Sequence, residues 1–243
     1  KVHEAEVQAH PDHQVSLTDP DARSMMKAGG GSTVSYNVQT AVDSKHNLIA
    51  SHEVTTAPID RNQLSLMAGK ARLALDAETL TVIADPGYYK GEEIVACYDA
   101  DITALVPKTD TSTSKAHGRY SKVDFRYDAE HNEYICPAGQ RLTYRFDSVE
   151  DGKRLWVYMT YQCSTCPLQS KCTTSSAKRL KRWEKEHVLD AADALLKNEP
   201  DVMRQRKQLV EHPFGTIKHW MGSTHFLMKR LPNVKAEMSL HVL

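Results

Sequence analysis

The stretch TVIADPGYYKGEEI, residues 81–94, constrains this chain most. Thr81, Val82 and Ile83 are β-branched and Ala84 is small, a composition that suits a buried strand. A lone carboxylate, Asp85, follows, and Pro86 and Gly87 break the strand directly after it. An unpaired charge at the exit of a buried strand is costly. Whatever this chain folds into, something has to meet Asp85.

The surrounding periodicity supplies a frame. Residues 15–18 read as a short strand that turns at Asp19 and Pro20, and Gly29, Gly30 and Gly31 form a flexible connection. Residues 34–43 alternate Val34, Tyr36, Val38, Thr40 and Val42 against polar or small neighbours, the period of a strand. After a turn at 44–47, residues 48–56 are again strand-like, which predicts a hairpin. Asp60 is placed to cap a helix running to about Leu75, with Leu64, Met67, Ala68, Ala71 and Leu75 on one face. The buried strand 80–84, a helix over about 90–98 and the strand 102–107 follow. The order β-β-β-α-β-α-β describes a mixed sheet with helices on its faces.

From Lys108 the composition turns polar. Residues 118–182 are rich in Tyr, Arg, Cys and short strand runs (EYIC, RLTYRF, WVYMTYQC) and read as a small β-rich insertion. Helical periodicity returns from about Trp183, with a break near Asn198 and Pro200. At 243 residues the chain fits one domain carrying one large insertion.

Hydrophobic content of 40% and charged content of 26% are those of a soluble globular protein. No apolar run reaches the ~20 residues of a membrane span, and the start KVHEAEVQAH lacks the pattern of a signal peptide. The expectation is a cytoplasmic protein without membrane contact. Formal net charge is zero, but over residues 178–235 basic side chains outnumber acidic ones roughly two to one. A basic C-terminal third beside an acidic body fits a polyanion-binding face next to a cation site; a solvated helix surface would look the same. There is no GxSxG elbow for Ser/His/Asp catalysis and no GxxxxGK[ST] phosphate loop.

Three acidic residues occupy unusual places. Asp19 ends the first expected strand, Asp85 ends the fourth, and Glu211 lies in a helix among basic residues, MRQRKQLVEHPFGTIKHW. If the first and fourth strands are neighbours, their ends converge, and a helix packed on the sheet can bring Glu211 to the same point. Clustered carboxylates repel unless a cation neutralises them. Hard oxygen ligands suit Mg²⁺ or Mn²⁺, and two such ions can promote displacement at a phosphodiester. Each acid also has a plainer reading: Asp19 as a turn residue, Asp85 as a loop opener, Glu211 as a helix-face partner of Lys207 or Lys218.

The segments SLTDPDARSM, SYNVQTAVDSKHNLIASHEVTTAPIDRNQL, TVIADPGYYKGEEI, LVPK and RKQLVEHPFGTIKHWMG, taken in order, resemble DDE transposases of bacterial insertion sequences. The resemblance covers most of the chain and extends to the branch with a cysteine-bearing insertion before the Glu. It implies a ribonuclease H-like mixed five-stranded sheet flanked by helices. The first part of that catalytic core would span 1–117, the insertion 118–182, and the C-terminal helical part 183–243. Asp19, Asp85 and Glu211 would be catalytic and hold Mg²⁺ or Mn²⁺. The implied reaction is metal-dependent cleavage of DNA at element ends, with the freed 3′-hydroxyl then attacking target DNA, in an active homodimer. Arg204 and Lys207 stand where the family signature has a Tyr and an Arg, so position 207 keeps its charge and loses the bidentate fork. Two rivals use the same residues: a DNA-binding remnant that has lost transposition, and a stand-alone metal nuclease.

Cys136, Cys163, Cys166 and Cys172 fall in the insertion, the middle pair as a CxxC. They suffice for a structural, tetrahedral Zn²⁺ site, with free thiols as the alternative; Cys97 reads as a core residue. Arg204, Arg206, Lys207, Lys218, Lys229 and Arg230, on or near the Glu helix, are the expected DNA contacts. Trp156, Trp183 and Trp220 could stack on an unpaired base; a Trp in a helix or hairpin is more often core, and Trp220 reads as core. His10, His13, His131 and His187 read as surface residues.

Overall fold

The computed structural model describes residues 7–8, 14–26, 29–109 and 112–243. His10 and His13 lie outside these. The chain forms two compact units, 1–108 with 191–243 and, inserted between them in sequence, 109–190.

The first unit opens with a hairpin of β1 (Arg23–Met26) and β2 (Ser32–Ser35), paired antiparallel from Arg23 opposite Ser35. The strand expected over 15–18 is not there. Those residues form a bend, and the turn at Asp19 precedes the first strand instead of ending it. Local bonds account for the difference: the Ser16 hydroxyl accepts the Asp19 N–H at 3.3 Å, and the Asp19 carbonyl accepts the Ala22 N–H at 3.1 Å. The long alternating run is broken at Tyr36. Its first half is β2 and its second half is β3 (Asn37–Val42), which pairs antiparallel with β4 (Ile49–Thr55). Asp43 shapes the intervening turn by accepting the N–H groups of Lys45 and His46, and Asn47 takes a left-handed φ of 59°.

Helix α1 (Leu64–Ala74) buries Leu64, Met67, Ala68 and Ala71, the i, i+3, i+4, i+7 stripe of the sequence, while Leu75 lies outside it. Next come β5 (Leu80–Ile83), α2 (Gly91–Asp99) and β6 (Ile102–Leu105). Here β5 and β6 are parallel, as a helical crossover requires. Buried Cys97 lies on α2, and burial pushes its thiol up to about 11.

A mixed α/β architecture is therefore present. Among the described residues, however, the strands of this unit are hydrogen-bonded as three separate pairs, β1–β2, β3–β4 and β5–β6, not as one five-stranded sheet. After a break at Glu199 and Pro200, α5 (Val202–Gly215) passes into a π-helical turn (Thr216–Trp220), and α6 (Leu231–Val242) follows. Val54 of β4, Ile217, and Val234 and Met238 of α6 form one buried cluster. Trp220, read as core from sequence, is 82% exposed. The wider π turn shifts its side chain off the face that buries Ile217.

The second unit contains a five-stranded antiparallel sheet in the order β11-β10-β9-β8-β7: β7 (Arg126–Asp128), β8 (Glu133–Ile135), β9 (Arg141–Glu150), β10 (Lys153–Thr160) and β11 (Lys178–Trp183). Asp151 and Gly152, both at positive φ, close the β9–β10 hairpin. Phe125, Tyr134, Leu142, Tyr158 and Leu180 make its core, with Trp156 packed against it, and Arg182 lays its guanidinium 3.8 Å from the Tyr127 ring centroid. The unit also holds α3 (Thr113–Ala116) and the start of α4 (Glu186–Asn198). No helix among the described residues is long and apolar enough to cross a membrane.

In the first unit, Glu53 on β4 ties two helices together. It bonds Lys70 of α1 and meets Lys235 of α6 at 2.5 Å. Burial by itself would raise its pKa, but the two ammonium groups outweigh burial and hold the carboxyl below its usual value. A lowered carboxyl pKa contributes stability above the unfolded-state pKa and loses it as pH falls through the folded value. Glu53→Gln is expected to cost about 1.5–3 kcal/mol at pH 7. In urea melts its deficit against wild type should shrink as pH falls below about 4.

Candidate functional site

Asp85 leaves β5 as the N-cap of a single 3₁₀ turn, Pro86–Tyr88. Its Oδ1 accepts the Gly87 N–H at 2.9 Å. Its Oδ2 accepts from Nη2 of Arg206, on α5, at 3.0 Å. The positive partner that the sequence demanded is thus a guanidinium, itself largely buried, with its Nε lacking a hydrogen-bond partner.

A second carboxylate faces the same turn. Asp60 accepts at one oxygen, Oδ1, from Nδ2 of Asn37 and Nε2 of Gln39, each at 2.7 Å. Gln39, only 2% exposed, also receives the Tyr88 hydroxyl on its Oε1. Burial, and then the charges of Asp60 and Asp85, push the Tyr88 phenol well above its usual range. A Cβ added at Gly87 would stand 2.9 Å from Oδ1 of Asp85 and 3.9 Å from Oδ2 of Asp60, so both carboxylates crowd the one residue without a side chain. The sequence assigned Asp60 only to helix capping. The signal for more was Asn37 and Gln39, two amides two residues apart on one strand face, which need an acceptor wherever that face packs.

Asp19 is bound elsewhere. Its Oδ2 accepts the Tyr36 hydroxyl at 2.8 Å, and its Oδ1 accepts the Arg230 N–H at 3.1 Å. With Asp21, which accepts the Leu231 N–H at 2.8 Å, it supplies negative charge at the start of α6. Burial, and then the Asp19 hydrogen bond, drive the Tyr36 phenol up. Glu211 lies on α5 five residues beyond Arg206, about 140° around the helix from it. Its side chain is 68% exposed and pairs with Lys207 at 3.9 Å. The helix that carries Glu211 reaches Asp85, but through Arg206. The structure does not bring Asp19, Asp85 and Glu211 together. Among the described residues, the metal-ligating atoms that gather within 4.8 Å are those of Asp128, His131 and Glu133 in the other unit. There Asp128 already accepts the His131 ring at 3.0 Å, and Glu133 is paired with Arg141 at 2.6 Å.

A cleft of about 330 Å³ lies next to the Asp85 turn. Val38, Thr40, Ala41 and Val42 of β3 line it, as do all four residues of β5. Neighbouring strand residues point to opposite faces, so runs this continuous reach a cavity only when the backbone edges face it. Among the described residues each of these strands has a single hydrogen-bonded partner, β4 and β6 respectively. The cleft is therefore bordered by two unpaired strand edges, with Met67 and Ala71 of α1 and Leu209, Val210 and Phe214 of α5 on its walls.

The basic residues divide. Arg204 (paired with Asp201 at 3.0 Å), Lys207, Lys218 (5.6 Å from the Phe214 ring centroid), Lys229 and Arg230 are exposed, whereas Arg206 turns inward to Asp85.

The family model described as "Transposase DDE domain" matches residues 135–243. This match supports a DDE transposase, and it takes in Glu211 and α5 but begins after Asp19 and Asp85. No curated protein and no solved structure matches the chain.

Gly87→Ala should push the Asp85 carboxylate off the Gly87 N–H, a lost cap worth about 1 kcal/mol. Urea unfolding followed by hydrogen exchange of amides in α1 and β5 would show it; unchanged protection there would mean that Asp85 does not fix the turn.

Proposed function

We propose that this chain is the catalytic part of a DDE transposase, acting on DNA with Mg²⁺ or Mn²⁺ through Asp19, Asp85 and Glu211. The transposase match across Glu211 and its helix carries the reading. The geometry supports it at two points. Asp85 sits at a strand exit beside the oxygens of Asp60, a donor set hard enough for Mg²⁺. The cleft between β3 and β5 also has the free edges that one more strand would satisfy.

In the active form residues 15–19 enter that cleft as a strand, and Leu17, now 76% exposed, becomes buried. The three pairs around it then merge toward the ribonuclease H-like mixed sheet, and Asp19 comes to the end of β5 beside Asp85. Helix α5 turns between the break at Pro200 and the π turn, so that Glu211 replaces Arg206 at the site. The bound cation supplies a Lewis acid at the scissile phosphate. The carboxylates fix its position, and Arg204, Lys207, Lys218, Lys229 and Arg230 hold the DNA backbone by salt-sensitive contacts. Cleavage at the element ends and transfer of the 3′-end to target DNA follow, in a homodimer.

A specific observation favours a second reading, a DNA-binding remnant: the Arg206–Asp85 pair satisfies Asp85 without a metal ion. One assay separates the two. The chain is incubated with a duplex carrying the two ends of its own element, with and without Mg²⁺. Under the first reading the ends are cut and joined only with Mg²⁺, and Asp85→Ala or Glu211→Gln lowers the rate by at least about 10³-fold. Salt-dependent DNA binding with no cutting in Mg²⁺ or Mn²⁺ would establish the remnant, and cutting without joining a nuclease.

A further inference from the structure

The second unit carries an arrangement that the DNA chemistry does not use. Cys136 follows β8 in a tight turn: the Gly139 N–H bonds its carbonyl at 2.8 Å, and the Gln140 N–H points at its Sγ from 3.3 Å. Gly139 is at a φ of 77°, which a side chain would oppose. Cys163 and Cys166 form a second turn after β10, closed by a 3.2 Å bond from the Cys166 N–H to the Cys163 carbonyl. Cys172 ends a 3₁₀ turn in the same loop. All four residues, from three places in the sequence, line one cavity of about 20 Å³, the room of a single small ion or water. None of the four is in a disulfide, and no carboxylate or imidazole shares the lining.

We propose that Cys136, Cys163, Cys166 and Cys172 hold one structural Zn²⁺. An all-thiolate tetrahedral set suits this ion, with sulfurs at about 2.3 Å from it and so about 3.8 Å from each other. In the structure no three of the four sulfurs lie within 4.8 Å of one another, so the ion draws them inward by rotation about their Cα–Cβ bonds. The loop between β10 and β11 has one 3₁₀ turn as its only regular structure. The ion fastens that loop to the β8–β9 turn, a covalent-strength tie for a unit whose core is five side chains. One thiol comes from the β8–β9 turn and three from the β10–β11 loop, a four-sulfur set that suits zinc.

The proposal is independent of the catalytic reading, because its readouts involve no DNA. The full chain, purified without chelator, should carry about one zinc by elemental analysis. Replacing the metal by Co²⁺ should give the intense visible and near-ultraviolet bands of a tetrahedral tetrathiolate, a measurement that needs no variant. The double variant Cys163→Ser/Cys166→Ser should retain less than about a tenth of the zinc, whereas Cys97→Ser, whose thiol lies in the other unit, should keep all of it. Iron in place of zinc, a native chain whose four thiols all react freely with a thiol reagent while metal-free and folded, or zinc retained in the double variant would each overturn the assignment.

Discussion

The carboxylate of Asp60 receiving the amides of half-buried Asn37 and buried Gln39 is the interaction on which the first unit turns. One acceptor oxygen serves both, and the network closes on itself: Asn37 also donates to the Ala57 carbonyl and Gln39 to the Asn37 side chain. That bond fixes the start of the turn ahead of α1 against β3. Gln39 then presents its carbonyl to Tyr88, which anchors the residues after β5. Through this chain of bonds a hairpin formed early in the sequence sets the direction in which Asp85 leaves its strand. A second carboxylate beside Asp85 is thus a by-product of satisfying the core.

The elements readable in advance were those that local periodicity dictates. The β3–β4 hairpin, the apolar stripe of α1, the β5–α2–β6 succession, the three strand runs that became β8, β9 and β10, and the break between α4 and α5 all follow from side-chain spacing and turn residues. Failures came where distant groups decide. Residues 15–18 have strand composition, yet a strand needs a partner; here the Asp19 turn is held instead by Tyr36 and by the N-terminus of α6, over two hundred residues away. Trp220 was misplaced because a π turn alters the phase of a helix without any mark in composition. The role of Asp60 escaped because its amide donors lie on another element.

The same reasoning bears on the three acids. Their separate surroundings each offer partners without a metal ion: Asp19 has a phenol and a backbone N–H, Asp85 a guanidinium, Glu211 solvent and Lys207. Sequence could place each acid on its element, because strand ends and helix faces are local. It could not say which of several available partners each would take, since those energies differ by only a few kcal/mol. The transposase match lies on the Glu side, over residues 135–243, and takes in neither Asp19 nor Asp85.

The unpaired edges of β3 and β5 bear on solubility as well. Exposed backbone edges invite foreign strands and, through them, fibrils. The edges of β3 and β5 border one cleft, with side chains of α1 and α5 on its walls. Helices placed along an open ladder reduce the directions from which a neighbour's strand can add to it, a form of protection against aggregation that needs no charged or proline residue on the edge itself.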